Sequence, residues 1–369
     1  MEPPTTSSFR LGYRAELDGF RAVAILMVVF QHLRMFPEFL QETPFYPGGG
    51  FLGVNLFFVL SGFLITVLLH QEYARWGKVN LKHFYGRRIL RLYPALLVLI
   101  VVIALGAWSM SSFPVLVRWK SGNDWIYALF YLSNYAMAFN WMLPQSPYSP
   151  TWSLAVEEHF YIVWPTLYIL SLRLRSRPRS LALLLGCSIL AVTGYRAWAV
   201  TQVPWIIPYR TTHTRIDSIL WGCLLGILIV ENLLSARAVK SIVFLRWPCA
   251  LAVIAFFIFG RPVPDVVGIG IFGYDLCCTV LIGGCVLKPE GNLVTLLSLP
   301  PMVYIGKLSY SLYLWHWPFH ILRTNPRGSF VDALPVFLLA LLFSVISFHF
   351  VERPFLRVKN KYFGSKTKS

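Results

Sequence analysis

LDGFRAVAILMVVFQHLRMF, residues 17–36, reads as a membrane helix, yet it carries Arg21, His32 and Arg34. Ionisable side chains are costly in hydrocarbon and mark functional positions there. The ten residues between Arg21 and His32 set the two about three helical turns apart, on one face and roughly 16 Å apart along the axis. An Arg at one level and a His deeper on the same stripe make this helix the reference for the rest of the chain.

The chain has 369 residues, of which 56% are hydrophobic and only 13% charged, where a soluble domain carries about 25% charged residues. An aromatic share of 16% suits belts of Trp and Tyr at the two membrane surfaces. The composition predicts an all-α integral membrane protein. A net charge of +17 raises nucleic acid as a partner. Cytoplasmic Lys and Arg explain it more simply, because positive loops stay inside, so no nucleic-acid partner is expected. The six cysteines, at 187, 223, 249, 277, 278 and 285, lie in or beside apolar runs without a CxxC pair or a His at ligand spacing. They read as small buried hydrophobes, and neither a metal nor a disulfide framework is predicted. The polar start lacks a clear cleavage site and Arg21 interrupts the apolar run, so no secretory signal peptide is expected.

Apolar runs of spanning length fall at about 20–36, 51–70, 92–110, 153–172, 181–200, 216–231, 247–260, 268–287, 302–322 and 333–351. The run at 247–260 is short. A further aromatic segment, 125–143, is broken by Asn134 and Asn140 and followed by Pro144. Loop charge decides whether it crosses. With about ten transmembrane helices, both termini cytoplasmic and 125–143 re-entrant or lying on the surface, most cations fall inside. These are Arg75, Lys78, Lys82, Arg87, Arg88 and Arg91; Arg173, Arg175, Arg177 and Arg179; Arg237, Lys240 and Arg246; and Arg353, Arg357, Lys359, Lys361, Lys366 and Lys368. Outside remain Arg118, Lys120, Arg210, Arg261, Arg323 and Arg327. A crossing at 125–143 would expose the cluster at 173–179. The predicted organisation is a cytoplasmic segment 1–16, one membrane domain 17–356 and a basic cytoplasmic tail 357–369.

Polar residues break the apolar pattern at a few places. In GVNLFFVLSGFLIT (53–66), Ser61 and Gly62 are small enough for close helix contact. In FYGRRILRLYP (84–94), Arg88 and Arg91 share a helix face, as do Arg87 and Arg91. Such a cluster suits phosphate, through bidentate guanidinium contacts, or anchors the inner surface. In TWSLAVEEHFY (151–161), Trp152 fits an interface, while Glu157 and Glu158 need a polar cavity or a cation. Ser149 or Thr151 is a candidate cap. In RIDSILWG (215–222), Arg215 and Asp217 are two apart and cannot face each other, so each should pair with another helix. In GKLSYSLYLWHWP (306–318), His316 sits between two Trp residues, as in an outer aromatic belt.

Together, LDGFRAVAILMVVFQH, GVNLFFVLSGFLIT, FYGRRILRLYP, TWSLAVEEHFY, RIDSILWG, GKLSYSLYLWHWP and VERP, in this order over residues 12 to 356, resemble the acyltransferase-3 family of bacterial inner-membrane enzymes. Its members O-acylate surface glycans, O-antigen sugars, exopolysaccharides and some macrolides. The resemblance implies that Arg21 and His32 form an Arg-x10-His pair with His32 catalytic. It implies that Arg88 and Arg91 form an Arg-x-x-Arg motif associated with acyl-CoA. Phe58, Ser61, Gly62 and Phe63 match a Ser-Gly-Phe signature, and Trp152, Ser153 and Glu157 a Trp-Ser-Leu-x-x-Glu signature. Asn55 stands where Asp is frequent and His159 where Gln is frequent.

The implied reaction moves an acyl group, acetyl by family habit, from cytoplasmic acyl-CoA to a hydroxyl of a glycan, glycolipid or glycosylated metabolite. Acyl-CoA is a co-substrate; no tightly bound cofactor is expected. His32 would be general base or acyl carrier. Arg21 would orient the CoA arm or stabilise charge, and Glu157 would hold the imidazole or bind the sugar. Arg87, Arg88 and Arg91 would receive the CoA phosphates. Ser61, Trp152, Arg215, Asp217 and His316 would support substrate or structure. Many relatives carry an extra C-terminal hydrolase-like domain. This sequence stops soon after the last span, so transfer is expected to be completed by the membrane domain or a partner. A transporter or flippase is the competing class, since buried Arg, His and Glu also build transport pathways.

Overall fold

A computed structural model describes residues 9–36, 40, 43–109, 122–143, 145–174, 176–322 and 330–363. Arg118, Lys120, Arg175, Arg323, Arg327, Lys366 and Lys368 lie outside the described residues, as do parts of the 1–16 and 357–369 segments. Among the described residues every regular element is helical. The helices are α1 (Ala15–His32), α2 (Gly53–Trp76), α3 (Leu81–Ser109), α4 (Asp124–Leu129), α5 (Ser133–Ala138), α6 (Thr151–Arg173), α7 (Pro178–Gln202) and α8 (Ile206–Arg210). They continue with α9 (Ile216–Val230), α10 (Ala236–Phe259), α11 (Ile271–Leu287), α12 (Asn292–Leu297), α13 (Pro300–Ile321), α14 (Phe330–Ile346) and α15 (Arg353–Phe363).

Each of the ten apolar runs falls on a helix. Among the described residues six segments are long and apolar enough to cross a membrane: Gly49–Trp76, Leu81–Ser109, Pro178–Gln202, Ala236–Phe259, Val266–Leu287 and Phe330–Phe363. This is a multi-pass membrane protein. Boundaries shift where local chemistry dictates. α1 ends at His32, and Arg34 follows in the left-handed region with φ 52°, so Arg34 is off the helix on which the sequence placed it. α3 starts eleven residues earlier than its apolar run, which puts Arg87, Arg88 and Arg91 inside the helix. The short run at 247–260 is the end of α10, whose start is capped by Ser235 accepting the Ala238 N–H at 3.2 Å. Gly77 ends α2 in the left-handed region, its N–H on the Tyr73 carbonyl at 2.7 Å.

The aromatic segment 125–143 makes α4 and α5, of six residues each, about 9 Å long apiece and too short to cross a core of about 30 Å. Tyr131 and Asn140, with φ 53° and 59°, break it. The buried Asp124 carboxylate accepts the Leu143 N–H at 3.2 Å and so ties the segment's two ends together. Burial pushes that carboxyl above the usual carboxylate range, against the pull of its bonds from Ser146 and Leu143.

The chain divides into two compact units of interleaved segments. The first holds residues 1–31, 36–79 and 156–307. At its centre α2 packs on α9, α9 on α7 and α11, and α11 on α10. The α2–α9 contact is backbone on backbone. A Cβ on Gly62 would lie 1.9 Å from the Ile219 carbonyl oxygen, and one on Gly222 would lie 1.9 Å from that of Val59. Only glycine fits at either point, the close approach that small residues permit between membrane helices. Beside it α2 is stitched to α6: Ser61 hydrogen-bonds Tyr161, and Trp164 Nε1 donates to Thr66 at 3.0 Å.

The second unit holds residues 32–35, 80–155 and 308–369. In it α3 packs against α15, the π-helical turn Ser347–Glu352 and α4. Tyr310 Oη donates to the Leu92 carbonyl at 2.7 Å, and Tyr93 Oη to the Leu129 carbonyl at 3.3 Å. Ser149 and Thr151 do not act as expected from their position. Their hydroxyls donate to the carbonyls of Ser146 and Tyr148, at 2.8 and 2.6 Å, and Thr151 also meets Ser133 at 2.6 Å. They bind the turn before α6 to α5.

Candidate active site

The second unit brings together His32 and His316. The last residue of α1 sets His32 Nδ1 3.0 Å from His316 Nε2. The ring centroids are 5.3 Å apart and the planes 5° from parallel, so with two nitrogens that close the imidazoles lie edge to edge and nearly coplanar. His316 turns its other nitrogen, Nδ1, back one helical turn to the Leu312 carbonyl at 3.1 Å. His316 is fully buried, whereas His32 is half-buried, which is not the placement of an interfacial belt residue.

Aromatic side chains fix both rings. Trp317 stands edge-on to His32 with centroids 5.0 Å apart, and its Nε1 donates to the Ser146 carbonyl at 3.0 Å. Tyr313 leans on His316 at 5.7 Å and shares a 2.6 Å hydrogen bond with Ser153. The turn 146–150 and the start of α6, reached through α4 and α5, are therefore what hold the aromatic wall around the pair. Trp152, next to Ser153, is buried in the same unit.

The same unit carries the basic cluster on α3. Arg87 donates to the Phe363 carbonyl of α15 at 3.2 Å. Arg88 stacks on Phe84, 5.8 Å from its ring centre. Arg91 acts on the Glu352 carboxylate, which also accepts a hydrogen bond from Ser311. Glu352 thus does more than end a helix: it is hydrogen-bonded to a Ser of α13 and lies within the electrostatic reach of one Arg of the cluster.

In the first unit Arg21 pairs with Asp18 at 2.8 Å, one turn back on α1, and Tyr13 donates to the same carboxylate at 3.1 Å. The i, i+3 spacing in LDGFR was the overlooked signal. Glu157 is half-buried on α6 in this unit. Its neighbour His159 meets Thr212 through Nδ1 at 2.8 Å. Arg215 and Asp217 do not pair. Asp217 takes Arg196 of α7 at 2.5 Å and the Thr193 hydroxyl at 3.0 Å. Arg215 donates to Asn55 of α2 at 2.8 Å and stacks on Tyr209 and Phe58 at 5.0 and 5.7 Å. Asn55 then donates to Asp275 of α11 at 2.8 Å, as Ser218 does at 2.6 Å. Arg196, Arg215, Asp217, Asp275 and Asn55 are all fully buried, a charge-balanced network joining α2, α7, α9 and α11. The Asn at position 55 is what lets one side chain donate to a carboxylate and accept from a guanidinium. Arg196 and Asp275 were missed, each a single polar residue inside an apolar run.

Among the described residues no three His, Cys, Asp or Glu side chains gather to hold a metal, and the six cysteines are free thiols.

Residues 14–349 match the family model of an acyltransferase domain. The O-acetyltransferase OatA of Staphylococcus aureus strain NCTC 8325 / PS 47 is 32% identical over 95% of this chain and 58% of its own length. A putative O-acetyltransferase of S. aureus strain MSSA476 is 31% identical over 94% of this chain and 58% of its own. The chain thus spans rather more than half the length of these curated relatives. No solved structure matches it. With the match running from before Arg21 to beyond His316, the chain belongs to the acyltransferase-3 family.

Proposed function

We propose that the protein is a membrane O-acetyltransferase that moves an acetyl group from cytoplasmic acetyl-CoA to a hydroxyl of a glycan, glycolipid or glycosylated metabolite, with His32 as general base. The observation that carries this reading is the His32–His316 contact. It engages Nδ1 of a half-buried imidazole and leaves Nε2 for chemistry. The O-acetyltransferase names of the relatives supply the reaction class.

In the reaction His32 Nε2 takes the proton of the acceptor hydroxyl. The oxygen forms a C–O bond to the acyl carbon, and the thioester C–S bond breaks. The proton on His32 passes to the departing sulfur, so acetyl ester and free CoA thiol leave and the imidazole is neutral again. Positioned proton transfer of this kind is worth about 10²- to 10⁴-fold in rate. Arg88 and Arg91, with Arg87 beside them, receive the CoA phosphates as a fork of guanidinium donors. Arg21, its charge balanced by Asp18, orients the donor, and Glu157 binds the acceptor sugar. On a reading of ten crossings with both ends inside, the α3 cations face the cytoplasm of a bacterial cell, where acetyl-CoA is made.

Two measurements test the reading in proteoliposomes supplied with acetyl-CoA and a panel of soluble glycans. His32→Ala should slow both CoA-thiol release and ester formation by about 10²- to 10⁴-fold; turnover at the wild-type rate would sink the assignment. Arg88→Ala with Arg91→Ala should raise the Kd for CoA about tenfold or more, from the loss of charged hydrogen bonds, and an unchanged Kd removes them from the donor site. The transporter reading predicts glycolipid movement with no dependence on acetyl-CoA.

A further inference from the structure

We infer that His316 is a positioning residue that fixes the proton of His32 on Nδ1, and that the Leu312 carbonyl sets this arrangement. The inference rests on the reading of His32 as base and adds the device that keeps the base in the right form.

The argument is one of donors and acceptors. A carbonyl oxygen only accepts, so at 3.1 Å from Leu312 the His316 Nδ1 carries the proton. A neutral imidazole has one N–H and one lone pair, so His316 Nε2 presents the lone pair. That lone pair faces His32 Nδ1 at 3.0 Å. The contact is a hydrogen bond only when His32 Nδ1 holds its proton; otherwise two lone pairs would face each other. The proton on Nδ1 leaves Nε2 of His32 bare, and the bond made by one ring nitrogen decides which form the other takes. The opposite tautomer would carry a hydrogen where the acceptor hydroxyl must deliver one.

Geometry supports a directed bond over an incidental touch. The rings are 5° from coplanar with centroids 5.3 Å apart, and His316 is completely buried. Trp317, anchored on Ser146, and Tyr313, anchored on Ser153, prevent either ring from turning away. A residue there for aromatic anchoring alone would need neither of its nitrogens aligned.

The test uses the full chain in nanodiscs, with 15N-labelled histidine and His32 signals assigned by substitution. Long-range 15N–1H spectra should show His32 with a protonated Nδ1 and a bare Nε2, and His316→Ala should abolish that preference. His316→Ala should lower kcat for acetyl transfer by on the order of 10²-fold with KM for acetyl-CoA near wild type. His316→Gln, whose amide oxygen accepts from the His32 Nδ1–H, should restore most of kcat. A His32 carrying its proton on Nε2 would overturn the inference. So would wild-type kcat in His316→Ala, or a folded Gln variant as slow as the Ala variant. If instead His32→Ala keeps turnover, the base reading falls, while the spectra still decide what His316 does to the imidazole.

Discussion

Two buried polar clusters sit in this protein, and they are built on opposite plans. The network of Arg196, Asp217, Arg215, Asn55 and Asp275 sets two fully buried cations against two fully buried carboxylates. The His32–His316 pair brings together two groups that are uncharged in the neutral form, half-buried at one end and ending in a nitrogen with no role in holding the fold. The first plan locks helices; the second, on the proposed reading, keeps a reactive atom ready. If the proposed assignment holds, charge density inside this protein is a poorer guide to the reacting centre than an aligned pair of weak bases.

The contrast can be broken most sharply at the two clusters themselves. His32→Ala should cost about 10²- to 10⁴-fold in acetyl transfer while the melting midpoint, followed by Trp fluorescence in detergent, falls only by the about 1 kcal/mol of one hydrogen bond. Asp217→Ala should do the reverse. It strands the Arg196 guanidinium and should cost about 3–5 kcal/mol of stability, read as a lower melting midpoint, with the remaining folded protein keeping its KM for acetyl-CoA. The pair Arg196→Met with Asp217→Leu should melt closer to wild type than Asp217→Ala does, because it removes both charges together. Gly62→Val should cost about 1–3 kcal/mol by overpacking, again seen in the melt. Ser61→Ala should be the mildest, about 1 kcal/mol for one hydrogen bond to Tyr161, with acetyl transfer unchanged. A Ser61→Ala variant with lost transfer and normal melting would move Ser61 from the frame into the chemistry and blur the comparison.

Most of the helices were legible because apolar runs report themselves locally. The same holds for the failure of 125–143 to span, since its polar breaks are in the sequence. What the sequence could not supply were partners. His32 and His316 are 284 positions apart, and Asn55 and Asp275 are 220 apart. The flanking tryptophans of His316 pointed to an interface, and only burial distinguishes that from a core residue. Asp275 lay in a run whose average apolarity concealed it. The GCLLG spacing around Gly222 was a readable signal for close helix approach, as was the Asp18–Arg21 spacing for a local ion pair. Glu352, read as a helix ending, lies in a π-helical turn, accepts a hydrogen bond from Ser311 and feels the charge of Arg91.

Gly62 and Gly222 have a consequence for how such a chain can change over time. Each glycine lies over a carbonyl of the opposite helix, Gly62 on Ile219 and Gly222 on Val59. A descendant that gains a side chain at one of them must shift a whole helix, and that shift disturbs the other contact as well. The two positions are thus bound to a common history: a side chain gained at one of them makes the other's contact less favourable.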